Sequence, residues 1–172
     1  MQLCEAYDLA DKIKGVLAPF CERIEVCGSI RRARPEVGDI DILCLAKPEQ
    51  ANALVARCKL NAHVISAGDQ AMSLRLKNNV QVDVRFARAS ESDLVTTKPG
   101  NWGALMIYFT GSKEHNIFIC DHAQKMGLKF DPFRGVLGHP GSWQEKVVAS
   151  ETEEDIFKYL GLEFIPPVQR ER

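Results

Sequence analysis

The sequence predicts an α+β fold, in which a mixed β-sheet with flanking helices is followed by a small C-terminal α/β subdomain. Apolar residues recur at helical spacing over residues 3–18, and apolar and polar residues alternate over 80–86, which is typical of a half-buried strand. After residue 102 the pattern returns to helices and one short hairpin. The chain has 172 residues, 45% of them apolar, which is enough to bury a core. We expect the first part to comprise residues 1–104 and the second part residues 105–172.

The first predicted element is a helix that ends before Pro19. Its apolar residues share one side at helical spacing: Leu3, Ala6, Leu9, Ala10, Ile13, Val16 and Leu17. The same stretch carries acidic residues where a signal peptide would have basic ones, so no export is indicated. A strand-like run then leads to Gly28.

A dense group of polar residues follows that run. Gly28 and Ser29 predict a tight turn whose backbone N–H groups and hydroxyl can face a phosphate. Arg31 and Arg32 come next and place positive charge beside the turn. A short basic run is also typical of an ordinary surface loop, and the residues alone leave both interpretations open.

Two carboxylates open the next apolar run. Asp39 and Asp41 point to the same face of an extended chain, because side chains two apart do so. Their Cα atoms would lie about 6–7 Å apart, and such a pair can bridge divalent cations. Two-cation phosphoryl or nucleotidyl transfer needs a further oxygen ligand, which should come from a neighbouring strand. Taken alone, an Asp-x-Asp pair is more often a solvated turn or strand end.

The third carboxylate is predicted at Asp83, in the alternating run VQVDVRFA. The alternative is that Asp83 forms an ion pair with an arginine on an exposed sheet face.

The other predicted elements of the first part are a helix over 48–58 and strands near 61–67, 72–77 and 80–86. The last two strands should join in a hairpin turn at Asn78-Asn79. The resulting sheet is mixed and carries all three Asp.

The second part follows a polar stretch, 90–100, which we interpret as a surface loop. The predicted elements beyond it are helices over 102–109 and 113–126, a short hairpin over 128–137 and a capped helix over 152–160. The sequence Thr-Gly-Ser breaks the first two helices apart at Gly111.

Charge and cysteine content narrow the class of protein. A net charge of −1 counts mildly against strong nucleic-acid binding, although the arginines cluster at residues 31, 32 and 34 and leave room for a local basic face. Six cysteines occur without a CxxC pair and four histidines without a cluster, which favours reduced thiols in a cytoplasm over zinc or disulfides. No apolar run approaches the ~20 residues of a membrane span.

Three motifs, GSIRR, GDIDIL and YFTGSKEHNI, occur in this order. Together they resemble the family X DNA polymerases, the group of DNA polymerase beta and its bacterial and viral relatives. The closing stretch TEEDIFKYLGLEFIPP resembles the C-terminal end of the bacterial members. The resemblance implies a nucleotidyltransferase palm domain over 1–104 that carries the metals, and a nucleotide-selecting, thumb-like subdomain over 105–172.

Carried over residue by residue, the resemblance implies a two-metal centre. Asp39 and Asp41 would bind two magnesium or manganese ions. Asp83 would complete the shell of the catalytic metal and accept or position the proton of the primer 3′-hydroxyl. The residues implied to hold the triphosphate of the nucleotide are Gly28, Ser29, Arg32 and Gly38.

The resemblance also assigns nucleotide contacts in the second part. Tyr108, Phe109 and Gly111 match the turn that crowds out a ribose 2′-hydroxyl, and Asn116 matches the residue that reaches the minor-groove edge of the new base pair. On their own, the two aromatic residues would sooner be assigned to core packing at a helix end. The adjoining Ser-Lys-Glu-His-Asn run favours the nucleotide role.

The sequence departs from the family in three ways. Few residues precede Gly28, so we expect neither lyase nor nuclease activity and a form similar to the minimal viral members. Cys120 stands where many relatives carry an arginine that touches the template strand. Gln81 stands where relatives often have an arginine beside the third Asp. We expect a looser template grip and slower chemistry, not its loss.

The function expected from these observations is that of a DNA-directed DNA polymerase. It would add a deoxynucleotide to a primer 3′-end on gapped DNA or a primer-template, release pyrophosphate, and fill short gaps in DNA repair as a monomer. The alternative is a nucleotidyltransferase that works without a template or on another acceptor. A non-catalytic module that binds DNA or nucleotide is a further alternative, but the intact Asp triad argues against it. The sequence leaves a bacterial, phage or viral origin open.

Overall fold

The computed structural model describes residues 1–60, 62–92 and 97–171. They divide into two units, Met1–Ala87 and Arg88–Arg172. In the described part of the chain, the helices are too short or too polar to span a membrane.

The first unit is a five-stranded sheet with helices. Its elements are α1 (Leu3–Leu17), β1 (Cys21–Val26), α2 (Gly28–Arg31), β2 (Ile40–Ala46), α3 (Ala51–Lys59), β3 (Ala62–Ala67), β4 (Ala71–Leu76) and β5 (Gln81–Phe86). The strand order is β1-β2-β5-β4-β3. Strands β2 and β5 run parallel and the other neighbours antiparallel, so the predicted mixed sheet is confirmed. Residue 61, the first of the predicted third strand, lies outside the described residues.

The core of the first unit covers one face of strand β5 and leaves the face that carries Asp83 outside it. Ala6 and Ala10 of α1 are fully buried, because small side chains let the helix lie close to the sheet. Val82 and Val84 of β5 belong to the same core. Since alternate side chains of a strand face opposite ways, Asp83 between them lies on the other face.

The predicted turn at Gly28-Ser29 is wrong in detail, because these residues start helix α2. The N–H of Arg32 donates to the carbonyl of Gly28 at 3.2 Å and closes its last turn. The hairpin at Asn78-Asn79 forms, but as a three-residue loop with Asn79 in the left-handed region at φ 67°. The extra loop residue places Ser73, not Leu74, opposite Asp83.

The second unit pairs three helices with a small sheet. Its elements are β6 (Glu91–Ser92), β7 (Thr97–Lys98), α4 (Trp102–Thr110), α5 (Lys113–Lys125), β8 (Lys129–Asp131), β9 (Gly135–Gly138), β10 (Lys146–Ala149) and α6 (Glu153–Tyr159). The predicted hairpin is β8–β9, and β10 adds a third antiparallel strand that the pattern did not indicate. The stretch interpreted as a loop contains the pair β6–β7, and its residues 93–96 lie outside the described residues.

The units divide at residues 87 and 88, before the boundary expected after residue 104. The start of α4 is bonded to the two residues that follow β10. The N–H groups of Gly103 and Ala104 donate to the carbonyls of Glu151 and Ser150 at 3.1 and 3.0 Å. The hydroxyl of Ser150 donates to the carbonyl of Gly100 at 2.6 Å. These bonds place the residues from about 100 in the second unit. Whether the units act as palm and nucleotide-selecting subdomain stays a prediction.

Gly103 yields the first testable prediction. A Cβ at this position would lie 2.3–2.5 Å from backbone atoms of Thr152. Replacing Gly103 with Ala should therefore destabilise the protein by about 1–3 kcal/mol through overpacking, although Ala is the better helix former. Gly15→Ala in α1 is the matched control, since no atom lies within 4 Å of its Cβ position and a neutral or stabilising effect is expected. Urea unfolding of both variants measures the difference, and equal stabilities would contradict the close approach.

Candidate active site

The three aspartates converge on one face of the first unit. Asp41 lies directly opposite Asp83 in the register of the parallel strands β2 and β5. Asp39 precedes β2 by one residue. One carboxylate oxygen from each of the three lies within 4.8 Å of the others. Such a set of hard oxygen ligands fits a divalent cation such as Mg²⁺.

Charge repulsion and burial make this cluster costly without a cation. Burial, followed by the charges of Asp39 and Asp83, raises the pKa of Asp41 to about 7, although Arg32 and Arg85 act in the opposite direction. Burial and the charge of Asp83 also raise the pKa of Asp39. A bound cation would relieve both effects. The residues present therefore fit a metal centre.

Two neighbours hold the carboxylate of Asp83. The hydroxyl of Ser73 donates to Oδ1, and the side-chain amide of Gln81 donates to Oδ2 at 3.0 Å. Both oxygens thus accept a bond from protein, and the plane of the carboxylate is set. Sequence reasoning missed Ser73. Ser73 could have been found from the hairpin register, because a three-residue loop between β4 and β5 places Ser73 opposite Asp83. Gln81 was noted as a departure, and its contact with Asp83 gives it a positioning role.

Gly28 makes room for Asp41. A Cβ on Gly28 would lie 1.8 Å from Oδ2 of Asp41, and Gly28 has φ +57°, which favours glycine. The N–H of Cys27 donates to the carbonyl of Asp41 at 2.8 Å and joins the two segments. The start of α2 therefore lies directly against the carboxylate cluster.

The other residues predicted to hold the triphosphate differ in their surroundings. Oγ of Ser29 is buried and has no hydrogen-bond partner among the described residues. Arg32 acts electrostatically on Asp39 and Asp41, so it lies beside the cluster. Gly38 is exposed, and no atom lies within 4 Å of its Cβ position. The fold alone therefore gives no reason for a glycine at residue 38.

Tyr108, Phe109, Gly111 and Asn116 lie in the second unit. The side-chain amide of Asn116 donates to the carbonyl of Tyr108 at 2.8 Å and ties α5 to the end of α4. Oδ1 of Asn116 is buried without a partner in the described part of the chain. Gly111 has φ +73° and donates to the carbonyl of Ile107 at 3.0 Å. Tyr108 is 40% exposed, which contradicts simple core packing for that ring.

Arg170, which the sequence analysis did not single out, supports the segment between α4 and α5. Its guanidinium is fully buried, bonds to Glu153 at 2.7 Å, and lies over the rings of Phe157 and Phe164 at 5.4 and 5.5 Å. Its carbonyl accepts the N–H of Ser112 at 3.1 Å. Arg170 thus holds Ser112, the residue that directly precedes α5. The sequence pattern gives no signal for this contact, because residues 112 and 170 are far apart in the chain.

The raised pKa of Asp41 predicts that ionisation of this carboxyl group destabilises the metal-free protein. Because its pKa in the folded state lies above the unfolded value of 3.8, stability is lost as pH rises towards and through about 7. Asp41→Asn should therefore stabilise the metal-free protein, and the gain should grow by up to a few kcal/mol from about pH 5 to about pH 8.5. Urea unfolding in chelator tests this. Asp69→Asn, at an exposed turn before β4, is the control. A gain independent of pH would show that ionisation of Asp41 is not its cause.

Comparisons with known proteins agree with the motifs. Residues 105–171 match a family model described as DNA polymerase beta thumb. The chain is also similar to the DNA polymerase/3′-5′ exonuclease PolX of Bacillus subtilis (strain 168), with 28% identity over 169 residues. The alignment covers 96% of this chain and 28% of that protein, so the chain spans less than a third of the length of this curated relative.

Proposed function

We propose that this chain, which is a family X polymerase-like protein, adds a deoxynucleotide to the 3′-end of a DNA primer and releases pyrophosphate. The observation that carries the proposal is the convergence of the three carboxylates, of which one oxygen each lies within 4.8 Å of the others. Asp41 and Asp83 are on the adjacent strands β2 and β5, and Asp39 comes one residue before β2. The exonuclease activity in the name of the relative forms no part of the proposal.

Asp39, Asp41 and Asp83 would hold two divalent cations, Mg²⁺ or Mn²⁺. When bound, the cations would supply charge neutralisation for the triphosphate and lower the pKa of the attacking hydroxyl. Asp41 must lose its proton before it can act as a ligand, because its pKa lies near 7. Metal binding should therefore strengthen as pH rises through this value.

Asp83 is the group proposed to receive or orient the proton of the primer 3′-hydroxyl. The 3′-oxygen attacks the α-phosphorus of the nucleotide, the bond to the β-phosphate bridging oxygen breaks, and pyrophosphate leaves. Ser73 and Gln81 already bond to the two oxygens of Asp83, so its orientation is set before substrate arrives. Such positioning, together with electrostatic stabilisation, is where catalysis would come from.

Two groups of residues are proposed to contact the incoming nucleotide, one at the triphosphate and one at the base and sugar. Ser29 and Arg32 suit the triphosphate, since Oγ of Ser29 is buried without a partner among the described residues. Gly28 and Gly38 would allow close approach of the phosphates to the backbone. Asn116 would use its buried Oδ1, which likewise has no described partner, as an acceptor towards the minor-groove edge of the base pair. Tyr108, Phe109 and Gly111 would exclude a ribose 2′-hydroxyl.

The setting of the reaction is part of the proposal. Short-gap filling in DNA repair, with gapped DNA or a primer-template and a deoxynucleoside triphosphate as partners, fits the family relationship. A cytoplasmic monomer is the simplest form. The experiment that follows tests the choice of deoxynucleotides and the template requirement.

The test is extension of a labelled primer on DNA with a one-nucleotide gap. Each deoxynucleotide is supplied singly with Mg²⁺, beside the same primer without template and beside ribonucleotides. Extension only with the complementary deoxynucleotide supports the proposal. Equal extension without template would instead identify an end-adding transferase, and preference for ribonucleotides would point to another acceptor. Binding of nucleotide without turnover in any tube would favour a non-catalytic module.

A further inference from the structure

The turn between β9 and β10 presents a tryptophan to solvent. Trp143 is 92% exposed, whereas the next most exposed large apolar side chain in the described residues, Ile117, is 58% exposed. The turn comprises residues 139–145, and all of them except the half-buried Glu145 are exposed. Nothing in the proposed chemistry uses this ring, and its exposure is unfavourable for the isolated protein, because a large apolar surface remains in water.

Hydrogen bonds hold the turn in one shape. The hydroxyl of Ser142 donates to the carbonyl of His139 at 2.8 Å and accepts the N–H of Gln144 at 3.1 Å. The N–H of Gly141 donates to Oε2 of Glu145 at 2.8 Å. Glu145 in turn pairs with Arg134 of the preceding hairpin at 2.7 Å. Trp143 is therefore presented by an ordered turn, which lowers the entropy that binding would cost.

The charges beside the turn are mainly positive. Glu145 is the acidic residue of the turn, and the bond from Gly141 and the ion pair with Arg134 lower the pKa of its carboxyl group. The charge of Lys129 on β8 acts in the same direction, so Lys129 lies near the turn. Lys146 follows at the start of β10 and is exposed. The carboxylate of Glu145 thus lies near two basic side chains, Arg134 and Lys129, and a third basic residue, Lys146, follows it in the sequence.

These surroundings favour a nucleic-acid strand over a protein partner. The core of a protein interface is apolar, but the neighbours of Trp143 in the turn are polar, small or proline. Single-strand sites combine an exposed aromatic ring, on which a base stacks, with nearby cations for the phosphates. The turn carries the ring, and the strands β8 and β10 carry the cations.

We propose that Trp143 is a stacking platform for an unpaired base of a DNA strand, with Lys129 of β8 and Lys146 of β10 as the cations for the phosphates. The proposal deepens the proposed function and rests on it, since the strand would be the unpaired part of a template. The site lies wholly within the second unit and uses none of the residues assigned to catalysis or nucleotide binding.

Tryptophan fluorescence tests the stacking directly. The chain has two tryptophans, and the other, Trp102, is 5% exposed, so a change in the accessible emission reports on Trp143. Titration with a short thymidylate oligomer in chelator should quench this emission. In Trp143→Phe the quenching should disappear, because only the buried indole remains. Quenching that persists in this variant would overturn the assignment.

Affinity provides the second measurement. Trp143→Ala should bind the oligomer, measured by anisotropy of a label on the DNA, roughly fivefold to a hundredfold more weakly, as expected for the loss of one base stack. Tyr159→Ala, which removes an exposed aromatic from α6, is the matched control and should bind like the original protein. Lys146→Gln should reduce the salt dependence by about one ion. An equal loss in both aromatic variants would overturn the proposal.

The outcome separates this inference from the proposed function. Trp143→Ala should still extend a primer on DNA with a one-nucleotide gap, where little unpaired template is present. If the original protein extends primers but its emission ignores the oligomer, the inference fails and the proposed function stands. If it binds and quenches but never extends, the proposed function fails alone. Emission that instead shifts with protein concentration would identify a second copy of the chain as the occupant and overturn the proposal.

Discussion

Replacing Asp83 with Asn is expected to abolish primer extension while nucleotide binding remains. The amide has the shape of the carboxylate and can still accept one bond from Ser73 or Gln81, so the fold should persist. It lacks the negative charge that a metal ligand and proton acceptor needs. We expect turnover to fall by roughly a hundredfold to ten-thousandfold or more. Single-turnover extension measures this, and equilibrium dialysis with labelled deoxynucleotide measures binding.

Two controls make the Asp83 result specific. Asp69→Asn removes a carboxylate from an exposed turn and should extend normally. Ser73→Ala removes one bond to Asp83 but keeps its charge, so its loss of turnover should be intermediate. Near-normal extension by the Asp83 variant would show that this carboxylate is not part of the catalytic centre, and the proposed mechanism would have to be abandoned.

Gly28→Ala is expected to disable the site by displacing Asp41. The added Cβ would lie 1.8 Å from Oδ2, and no side chain can occupy that position unless the carboxylate moves. The backbone at φ +57° would add about 1–2 kcal/mol of strain for a residue with a Cβ. We expect both Mn²⁺ binding and primer extension to fall by at least about tenfold, since each depends on the carboxylate geometry. Calorimetric titration with Mn²⁺ and the extension assay provide the two measurements.

Gly38→Ala is the matched control for this prediction. No atom lies within 4 Å of its Cβ position, so the variant should fold normally and bind Mn²⁺ like the original protein. A selective loss of nucleotide affinity in Gly38→Ala would support a phosphate contact at that backbone. Unchanged Mn²⁺ affinity in Gly28→Ala would contradict the close approach of Gly28 to Asp41. Far-ultraviolet circular dichroism identifies any variant that has simply unfolded.

Much of the fold could be predicted because its signals are local. The helix expected over 3–18 is observed as Leu3–Leu17, since its apolar spacing and the proline after it act within a few turns. Thr152 caps α6 by accepting the N–H of Asp155 at 3.1 Å, as its spacing indicated. The family resemblance is confirmed by the thumb match and by the similarity to the PolX protein.

Other elements could not be predicted because their signals are weak or distant. Strand β10 has only four residues, Lys146–Ala149, and they show no alternation of apolar and polar side chains. The unit boundary at residue 87 reflects bonds of Arg88 with Asn101 and of α4 with residues 150–151, which lie farther along the chain. Arg170 is buried although arginine is normally exposed, and the carboxylate of Glu153, the carbonyl of Ile165 and two aromatic rings lie against its guanidinium.

The sequence by itself determined that Asp39 and Asp41 share a face, because the period of an extended chain is two residues. The alternation in 80–86 made Asp83 the predicted third carboxylate, but only the tertiary structure brings it to the other two, since parallel pairing of β2 with β5 connects residues far apart in the chain. It also decided the contact of Ser73 with Asp83, because one extra loop residue changes which side chains face each other. Burial, which raises the pKa of Asp41, likewise depends on everything packed around it and not on its neighbours in sequence.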